Sequence, residues 1–302
     1  LKPLIIKFLI ALFIHSSYNQ YTSTKYKDLA LLVLLFRSTF AQKFKRFNNM
    51  KTFLVPISSL KEKKATLIYA IDFAKAVGAE MIYGIQLNEI SEEDHLDEIM
   101  IHAEKQGIAI NFRFFEGDTL DYIKEFCADF NVDLIIASAI TPKSNDKLFL
   151  DNLSGSIVKK TEMPVLLIPE NYKYKDIKTV LTAIKSGIIE SKGSLTQLEH
   201  MLVSTKAEMT LLQIKTPSYL PEDLMFDKDL AILTSKYYSS ENATLFQGVL
   251  EYIHVINPDI TCVFRRKRGF FQKLWKDVTL DHTLNKADFE SRIPLLVLKG
   301  AQ

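Results

Sequence analysis

The sequence predicts an α/β protein made of two tandem, doubly wound domains. The pair Lys51-Thr52 opens an apolar run, and Lys178-Thr179 opens a similar run 127 residues later. Pro164 and Pro294 each precede a closing apolar run and lie 130 residues apart. Short apolar runs alternate with segments of helical periodicity, which indicates a parallel sheet covered by helices on both faces. Repetition at domain length indicates two copies of one fold, so a ligand site is expected at matching places in both.

The elements of the first copy follow from local patterns. Mostly apolar runs predict strands over 53–57, 80–86, 108–115, 133–137 and 165–168. Helical spacing predicts helices over 65–77, around Ile99, Met100 and His102, over 120–130 and over 150–160. Gly78 is the expected C-terminal stop of the first helix, and Asp118 is the expected N-cap of the third.

The second copy follows the same course. Its predicted strands are 180–184, 208–214, 259–264 and 295–298, and its predicted helices are 195–203, 224–238, 243–256 and 283–289. Its third strand is poorly marked and is placed near 239–244. The predicted organisation is therefore an N-terminal extension over 1–49, a first domain over 50–170 and a divergent second domain over 171–302.

Residues 1–49 differ in kind from the rest of the chain. Their apolar runs, 4–14 and 29–36, are both shorter than the roughly 18 to 20 residues that a spanning helix needs. Lys2 before an apolar run is similar to a secretory signal, but no clear small-x-small cleavage site follows. Met50 directly precedes the first predicted strand. We expect residues 1–49 to be a mis-assigned start or a disordered extension rather than a signal or a membrane anchor.

Composition excludes few function classes. A net charge of +2 over 302 residues gives no indication of a strongly charged partner. Cys127 and Cys262 fall one in each copy, without a CxxC pattern, so we expect reduced core thiols in a cytoplasmic protein. Histidines show no metal-ligand spacing: His95 and His102 lie seven apart on an acidic stretch, where a solvated surface is favoured over a zinc pair. We predict no metal site.

Taken in order, these segments resemble the universal stress protein family in its tandem form. The residues that carry the resemblance are Leu54-Val-Pro-Ile57, Ala70 to Glu80, Glu116-Gly-Asp118, Asp133-Leu-Ile-Ile136 and Met163-Pro-Val-Leu-Leu-Ile168. The match in 178–300 is thinner. The resemblance implies a five-stranded parallel sheet of order 3-2-1-4-5 with two helices on each face. It also implies pairing through the fifth strands, either in a homodimer or between the two domains of one chain.

Many members of this family bind ATP through an aspartate after strand one and a G-x2-G-x9-G-S/T loop after strand four. In the first copy, the aspartate position holds Ser58. The three glycine positions hold Ser138, Thr141 and Asp151, and the Ser/Thr position holds Asn152. Glycines allow close approach of backbone to phosphate, and a carboxylate there repels it. We therefore interpret Asp151 as a helix N-cap and disfavour ATP as a cofactor. Gly155-Ser156 looks like the missing pair but is expected one turn inside the helix.

The second copy departs further from the family pattern. Lys185 occupies the strand-one position, and six cations lie within the twelve residues 265–276, interleaved with four large apolar side chains. Arg265, Arg266, Lys267 and Arg268, with Lys185, are the candidates for binding a small anionic ligand. Nucleic-acid and membrane binding are less favoured alternatives. A further alternative is that the aromatic residues pack down while the cations are solvated.

No nucleophile with a base at readable spacing, and no P-loop, is found. The predicted function is therefore a non-catalytic binding or regulatory module of the stress response with degenerate ATP loops. One alternative is a nucleotide-binding protein with weak ATPase activity. Another is a structural protein whose whole role is pairing through the fifth strands. A small anionic ligand or a protein partner is expected at the carboxyl edge of the sheet.

Overall fold

A computed structural model describes residues 50–57, 60–86, 93–115, 119–139, 153–189, 193–265 and 293–299. We refer to the described parts of 50–170 and 171–302 as the first and second halves. The first half has the strands β1 Thr52–Ile57, β2 Met81–Gln86, β3 Ala109–Phe114, β4 Leu134–Ala139 and β5 Val165–Pro169. Its helices are α1 Leu60–Val77, α2 Glu93–Gln106, α3 Thr119–Asp129 and α4 Leu153–Lys160.

The second half repeats this course with shorter helices. Its strands are β6 Thr179–Ile184, β7 Glu208–Lys215, β8 Thr234–Glu241, β9 Ile260–Arg265 and β10 Leu295–Lys299. Its helices are α5 Thr196–Thr205, α6 Lys228–Leu233 and α7 Leu245–Ile256, and a short 3-10 helix covers Pro221–Leu224.

All ten strands form one sheet of order β3-β2-β1-β4-β5-β10-β9-β6-β7-β8. Each half therefore has its strands in the order 3-2-1-4-5, and the strands within a half run parallel. The predicted fold class is confirmed. The two halves meet where β5 and β10 pair antiparallel, with Leu166 opposite Leu296. The carboxyl ends of the two halves consequently lie at opposite edges of the sheet.

The core occupies both faces of the sheet, as the mostly apolar strands predict. Alternate residues of β1 point to opposite faces: Phe53, Val55 and Ile57 join one buried cluster, and Leu54 joins the other. Each cluster contains residues of both halves. On the first face α1 packs against α5 across the seam between the halves, and the Tyr69 ring contacts the rings of Tyr172 and Tyr174 in the linker.

One predicted helix is wrong in its second part. The sequence predicts a helix over 224–238, but α6 ends at Leu233 and β8 begins at Thr234. Asp227 begins this short helix because its Oδ1 accepts hydrogen bonds from the amides of Asp229 (2.8 Å) and Leu230 (3.2 Å). The third strand thus lies at 234–241 rather than near 239–244. Its pairing with β7 outweighs the helical spacing of its apolar residues.

Candidate functional site at the carboxyl edges of the sheet

In the first half, a hydrogen bond joins the carboxyl end of β4 to the start of α4. Ser138, in the first predicted glycine position, is 6% exposed, and its carbonyl accepts from the Ser154 hydroxyl at 2.8 Å. Ser58, Thr141, Asp151 and Asn152 lie outside the described residues. The structure therefore positions only Ser138 among the predicted loop residues of this half.

Gly155 and Ser156 lie in the helix that follows this loop. The described helix α4 starts at Leu153, and residues 150–152, where the sequence predicts the start of the helix, lie outside the described residues. Gly155 is buried there, as is Ile157. The glycine therefore belongs to the packed surface of the helix.

In the second half, the position after the first strand holds a lysine whose ammonium donates hydrogen bonds to the protein. Lys185 directly follows β6, as Ser58 follows β1. Its Nζ donates to the carbonyl of Ser218 at 2.8 Å and to the Ser218 hydroxyl at 3.2 Å. The same ammonium lies 3.9 Å from Asp223 Oδ2. Its side chain is 24% exposed, and oxygen atoms of the protein accept hydrogen bonds from the ammonium.

These partners belong to the connection between β7 and α6, residues 216–226, which we call the strap. Gln213, fully buried on β7, organises it. Its Nε2 lies 2.7 Å from the carbonyl of Asp223, 3.1 Å from the Tyr219 hydroxyl and 3.4 Å from the carbonyl of Lys185, and its Oε1 accepts from Tyr237 at 2.7 Å. Burial raises the pKa of Tyr237, which keeps that hydroxyl a donor.

The strap also closes on the backbone of the loop after β6. Gly187 forms a parallel bridge with Phe226, and its carbonyl accepts from the amide of Asp227 at 2.8 Å. A Cβ at Gly187 would lie 2.6 Å from the carbonyl oxygen of Met225, so no larger residue fits without a backbone shift. The strap therefore lies directly against the segment that follows the first strand of this half.

Arg265, the last residue of β9, points across the seam. Its Nη1 donates to the carbonyls of Val158 (2.7 Å) and Thr161, and its Nη2 donates to Glu162 Oε1 at 3.0 Å. Val158 belongs to α4 and Thr161 follows it, so the guanidinium satisfies carbonyls at the C-terminal end of that helix. All these acceptors are protein groups of the other half. A role for Arg265 in anion binding stays a prediction, and Arg266, Lys267 and Arg268 lie outside the described residues.

The carboxylate in this contact has two cationic partners. Lys299 Nζ lies 2.9 Å from Glu162 Oε2, while Arg265 occupies the other oxygen. The hydrogen bond from Lys299 lowers the pKa of Glu162 most, the positive charges of Arg265 and Lys299 add to this, and burial partly opposes it. The network joins β9 and β10 to the segment that leads into β5.

His102 and the two cysteines lie on separate elements, α2, α3 and β9. His102 lies 2.7 Å from Asp72 Oδ1 through its Nε2, and within the described ranges no group of three or more His, Cys, Asp or Glu side chains is placed to hold a metal ion. The side chain of His95 lies outside the described part. Cys127 and Cys262 are buried free thiols, as predicted, and burial raises the pKa of Cys127 to about 12.

Sequence reasoning missed Gln213 and the strap. One signal was present: Gln86 and Gln213 lie 127 residues apart, and each stands opposite the last residue of the first strand of its half, Ile57 or Ile184. A glutamine repeated at one strand position is a usable signal, because a primary amide such as that of the buried Gln213 needs several partners.

Comparison with solved structures agrees with this architecture. A universal stress protein from Archaeoglobus fulgidus DSM 4304 superposes with a TM-score of 0.59 at 18% identity, covering 85% of this chain and 98% of that one. The chain has the universal stress protein fold in tandem form. The resemblance drawn from the sequence is thereby confirmed at the level of the fold.

Two further solved structures are similar in fold to this chain. A functionally unknown protein from Pseudomonas aeruginosa PAO1 matches with a TM-score of 0.51 at 13% identity, covering 83% of this chain and 93% of that one. The cytoplasmic domain of a prokaryotic cation chloride cotransporter matches with a TM-score of 0.51 at 12% identity, covering 83% and 95%. No family model and no curated protein matches the chain. Among the described helices, none is both long and apolar enough to cross a membrane.

Proposed function

We propose that this chain is a non-catalytic binding and regulatory module of the stress response whose two ATP-type sites are degenerate. The observation that carries the proposal is the strap of the second half. Lys185 stands where the family has its ATP-binding aspartate, and its ammonium is held by Ser218 and lies near Asp223. The chain's own residues thus satisfy the group that would otherwise face a ligand.

The closure of the strap on Gly187 supports the same conclusion. An adenine nucleotide approaching the end of β6 would have to displace backbone contacts of Gly187 with Phe226 and Asp227. It would also disturb the hydrogen bonds of a fully buried Gln213. Leaving such groups unpaired costs about 1–3 kcal/mol each, which a weakly held nucleotide does not return.

For the first half, the proposal rests on sequence. Side chains replace all three loop glycines, and a carboxylate at Asp151 repels phosphate. Ser138 supports this in part, because its carbonyl is already bound by the Ser154 hydroxyl. We propose that a small anionic ligand or a protein partner binds at the carboxyl edge of the sheet. We also expect the protein in the cytoplasm, where buried thiols stay reduced.

Thermal unfolding with magnesium ATP, AMP and cyclic AMP at millimolar concentration tests the proposal. A nucleotide that binds only the folded state adds RT ln(1 + [L]/Kd) to the free energy of unfolding and so raises Tm, and we expect no rise for the wild-type chain. Restoring the family's residues in the first half should create a rise with ATP. The restoring changes are Ser58→Asp, Ser138→Gly, Thr141→Gly, Asp151→Gly and Asn152→Ser.

A matched variant separates the loop from the rest of the protein. The single change Asp259→Asn affects a carboxylate that directly precedes β9 and belongs to neither loop, and it should leave the response to ATP unchanged. A rise in Tm of the wild-type chain with ATP contradicts the degenerate-loop proposal. Phosphate release from ATP above that of a Lys185→Ala, Arg266→Ala variant would favour the weak ATPase instead.

A further inference from the structure

An exposed apolar surface lies on the strap and the loop that it covers. Ile188, Leu220, Leu224 and Met225 are 38%, 59%, 49% and 65% exposed, and we call these four side chains the strap patch. They lie close together, because Leu220 and Met225 cap the 3-10 helix that ends at Leu224, and the carbonyl of Met225 lies against Gly187, next to Ile188. A cluster of this kind indicates a contact surface.

Carboxylates surround the strap patch. Glu222 and Asp223 lie within the 3-10 helix, and Asp227 and Asp229 follow at the start of α6. The stretch 220–229 contains one cation, Lys228, and Lys185 lies beside Asp223. Glu222 and Asp229 are exposed. A surface that is apolar at its centre and acidic at its rim favours an occupant that carries large apolar side chains together with Lys and Arg.

Residues 266–276 of the same chain have this composition. They carry five cations and no carboxylate, with Phe270, Phe271, Leu274 and Trp275 between them. This segment directly follows Arg265, the last residue of β9, whose guanidinium donates to the carbonyls of Val158 and Thr161. β9 pairs with β6, and β6 pairs with β7, from which the strap begins. Two strand spacings, about 10 Å, therefore separate the segment's origin from the strap.

We propose that the strap patch is the docking surface for residues 266–276 of the same chain. The aromatic and leucine side chains would cover Leu220, Leu224 and Met225, and the cations would lie beside Glu222 and Asp229. The contact gives the apolar residues of the basic segment a place out of water, which a purely solvated segment lacks. It goes beyond the proposed function, because it concerns the outer face of the strap rather than the nucleotide position.

The only tryptophan of the chain, Trp275, reports on this contact directly. With excitation selective for tryptophan, we expect the full-length protein to show blue-shifted emission and protection from acrylamide. The double variant Leu224→Glu, Met225→Glu should shift the emission to the red and raise the quenching constant several-fold. Both side chains are exposed, so these changes should leave the fold intact, which circular dichroism verifies.

The matched control is Val203→Glu. Val203 is 60% exposed on α5, near the helix end that precedes β7, at the opposite edge of the second half. It introduces the same carboxylate on an exposed apolar residue and should leave Trp275 emission unchanged. Charge reversal by Glu222→Lys, Asp229→Lys should also increase quenching, and added salt should have the same direction of effect.

Three results would overturn the proposal. In the first, Trp275 of the wild-type protein shows the emission and the acrylamide quenching of a fully solvated side chain. The second is protected emission that neither the apolar nor the charge variant alters, which would place the segment elsewhere. The third is protection that appears only as protein concentration rises, together with a dimer in light scattering, which would assign the strap patch to a second copy. Protection independent of concentration and lost in both variants supports the intrachain contact.

Discussion

Asp133 and Asp259 make the same contact in the two halves of the protein. Asp133 directly precedes β4, and Asp259 directly precedes β9, the fourth strand of each half. The Oδ2 atom of each aspartate accepts two backbone hydrogen bonds at the start of the first strand of its half. Asp133 accepts from Lys51 (2.7 Å) and Thr52 (3.0 Å), and Asp259 accepts from Lys178 (2.9 Å) and Thr179 (3.0 Å). The repeated Lys-Thr pairs in the sequence therefore mark a repeated structural contact.

The Asp259 contact predicts acid-sensitive stability. Burial acts to raise the pKa of Asp259, but hydrogen bonds from Lys178 and Thr179 and the Lys175 ammonium at 3.1 Å outweigh it, so the pKa is lowered. A carboxyl with a lowered folded pKa stabilises the fold above its unfolded pKa, about 3.9, and loses this contribution as pH falls through the folded value. We expect Asp259→Asn to lower the free energy of unfolding at neutral pH and to match the wild type in strong acid. Urea unfolding across pH measures this, and a difference independent of pH would contradict it.

Replacing Arg265 should destabilise the seam between the halves. Arg265→Met removes donors to Val158 O, Thr161 O and Glu162, and hydrogen bonds to charged groups are each worth about 1.5–3 kcal/mol. We expect a loss of about 2 kcal/mol or more in urea unfolding. Arg113→Met, an exposed position on the edge strand β3, is the control and should change stability by less than about 0.5 kcal/mol. Equal effects of both variants would show that Arg265 does not join the halves.

Gln213→Leu should loosen the strap. The change keeps the side chain's approximate volume but leaves the Tyr237 hydroxyl and the Asp223 carbonyl without their partner, at a cost of about 1–3 kcal/mol per group. We expect lower stability and faster proteolysis within 216–226. Gln197→Leu is a matched control, because its amide makes one long hydrogen bond, 3.3 Å, to Asp133 O. Undiminished protease resistance in Gln213→Leu would show that the glutamine does not hold the strap.

The two halves should remain associated after the linker is cut. A protease site inserted between Lys175 and Asp176 lies in the exposed part of the linker, after the tyrosines that contact Tyr69. We expect the cleaved fragments to co-elute in size-exclusion chromatography, because the β5–β10 pairing and the α1–α5 contact are buried and apolar. Leu296→Asp, within the buried seam, should separate them. Separation without that change would mean that the linker, not the seam, holds the halves together.

Both thiols should be inert in the folded protein. Cys127 and Cys262 are buried, and burial raises the pKa of each thiol, so little thiolate forms near neutral pH. We expect no reaction with a thiol reagent under native conditions and two modified residues per chain after denaturation. Mass spectrometry counts the modifications, and rapid native labelling of either residue would contradict the buried placement.

The sequence predicts most of the fold because local pattern and tertiary structure agree there. The strand runs are apolar along both faces, and the resemblance supplies the order 3-2-1-4-5, which both halves show. The sequence fails at β8, where Tyr237 and Tyr238 fit a helical spacing but pair with Leu211 and Leu212 of β7. Such pairing depends on distant residues, so local spacing does not reveal it.

The candidate site was less predictable for the same reason. Lys185 was identified at the strand-one position, but its partner Ser218 lies 33 residues away, in a connection that carries no motif. Arg265 was identified as a cation beyond strand four, but its acceptors lie more than 100 residues away, in the other half. Hydrogen bonds between side chains of one half and groups of the other produce no periodic pattern in the sequence, so the sequence does not predict them.

The antiparallel junction of β5 with β10 sets the direction in which each half can meet its surroundings. Ligands of doubly wound domains bind beyond the carboxyl ends of the strands. Because the two halves pair antiparallel, the two positions of this kind in one chain lie at opposite edges of the sheet. A ligand or partner at one edge would be separated from the other edge by the length of the strands. We therefore expect that one chain could contact two partners at once, one at each edge of the sheet.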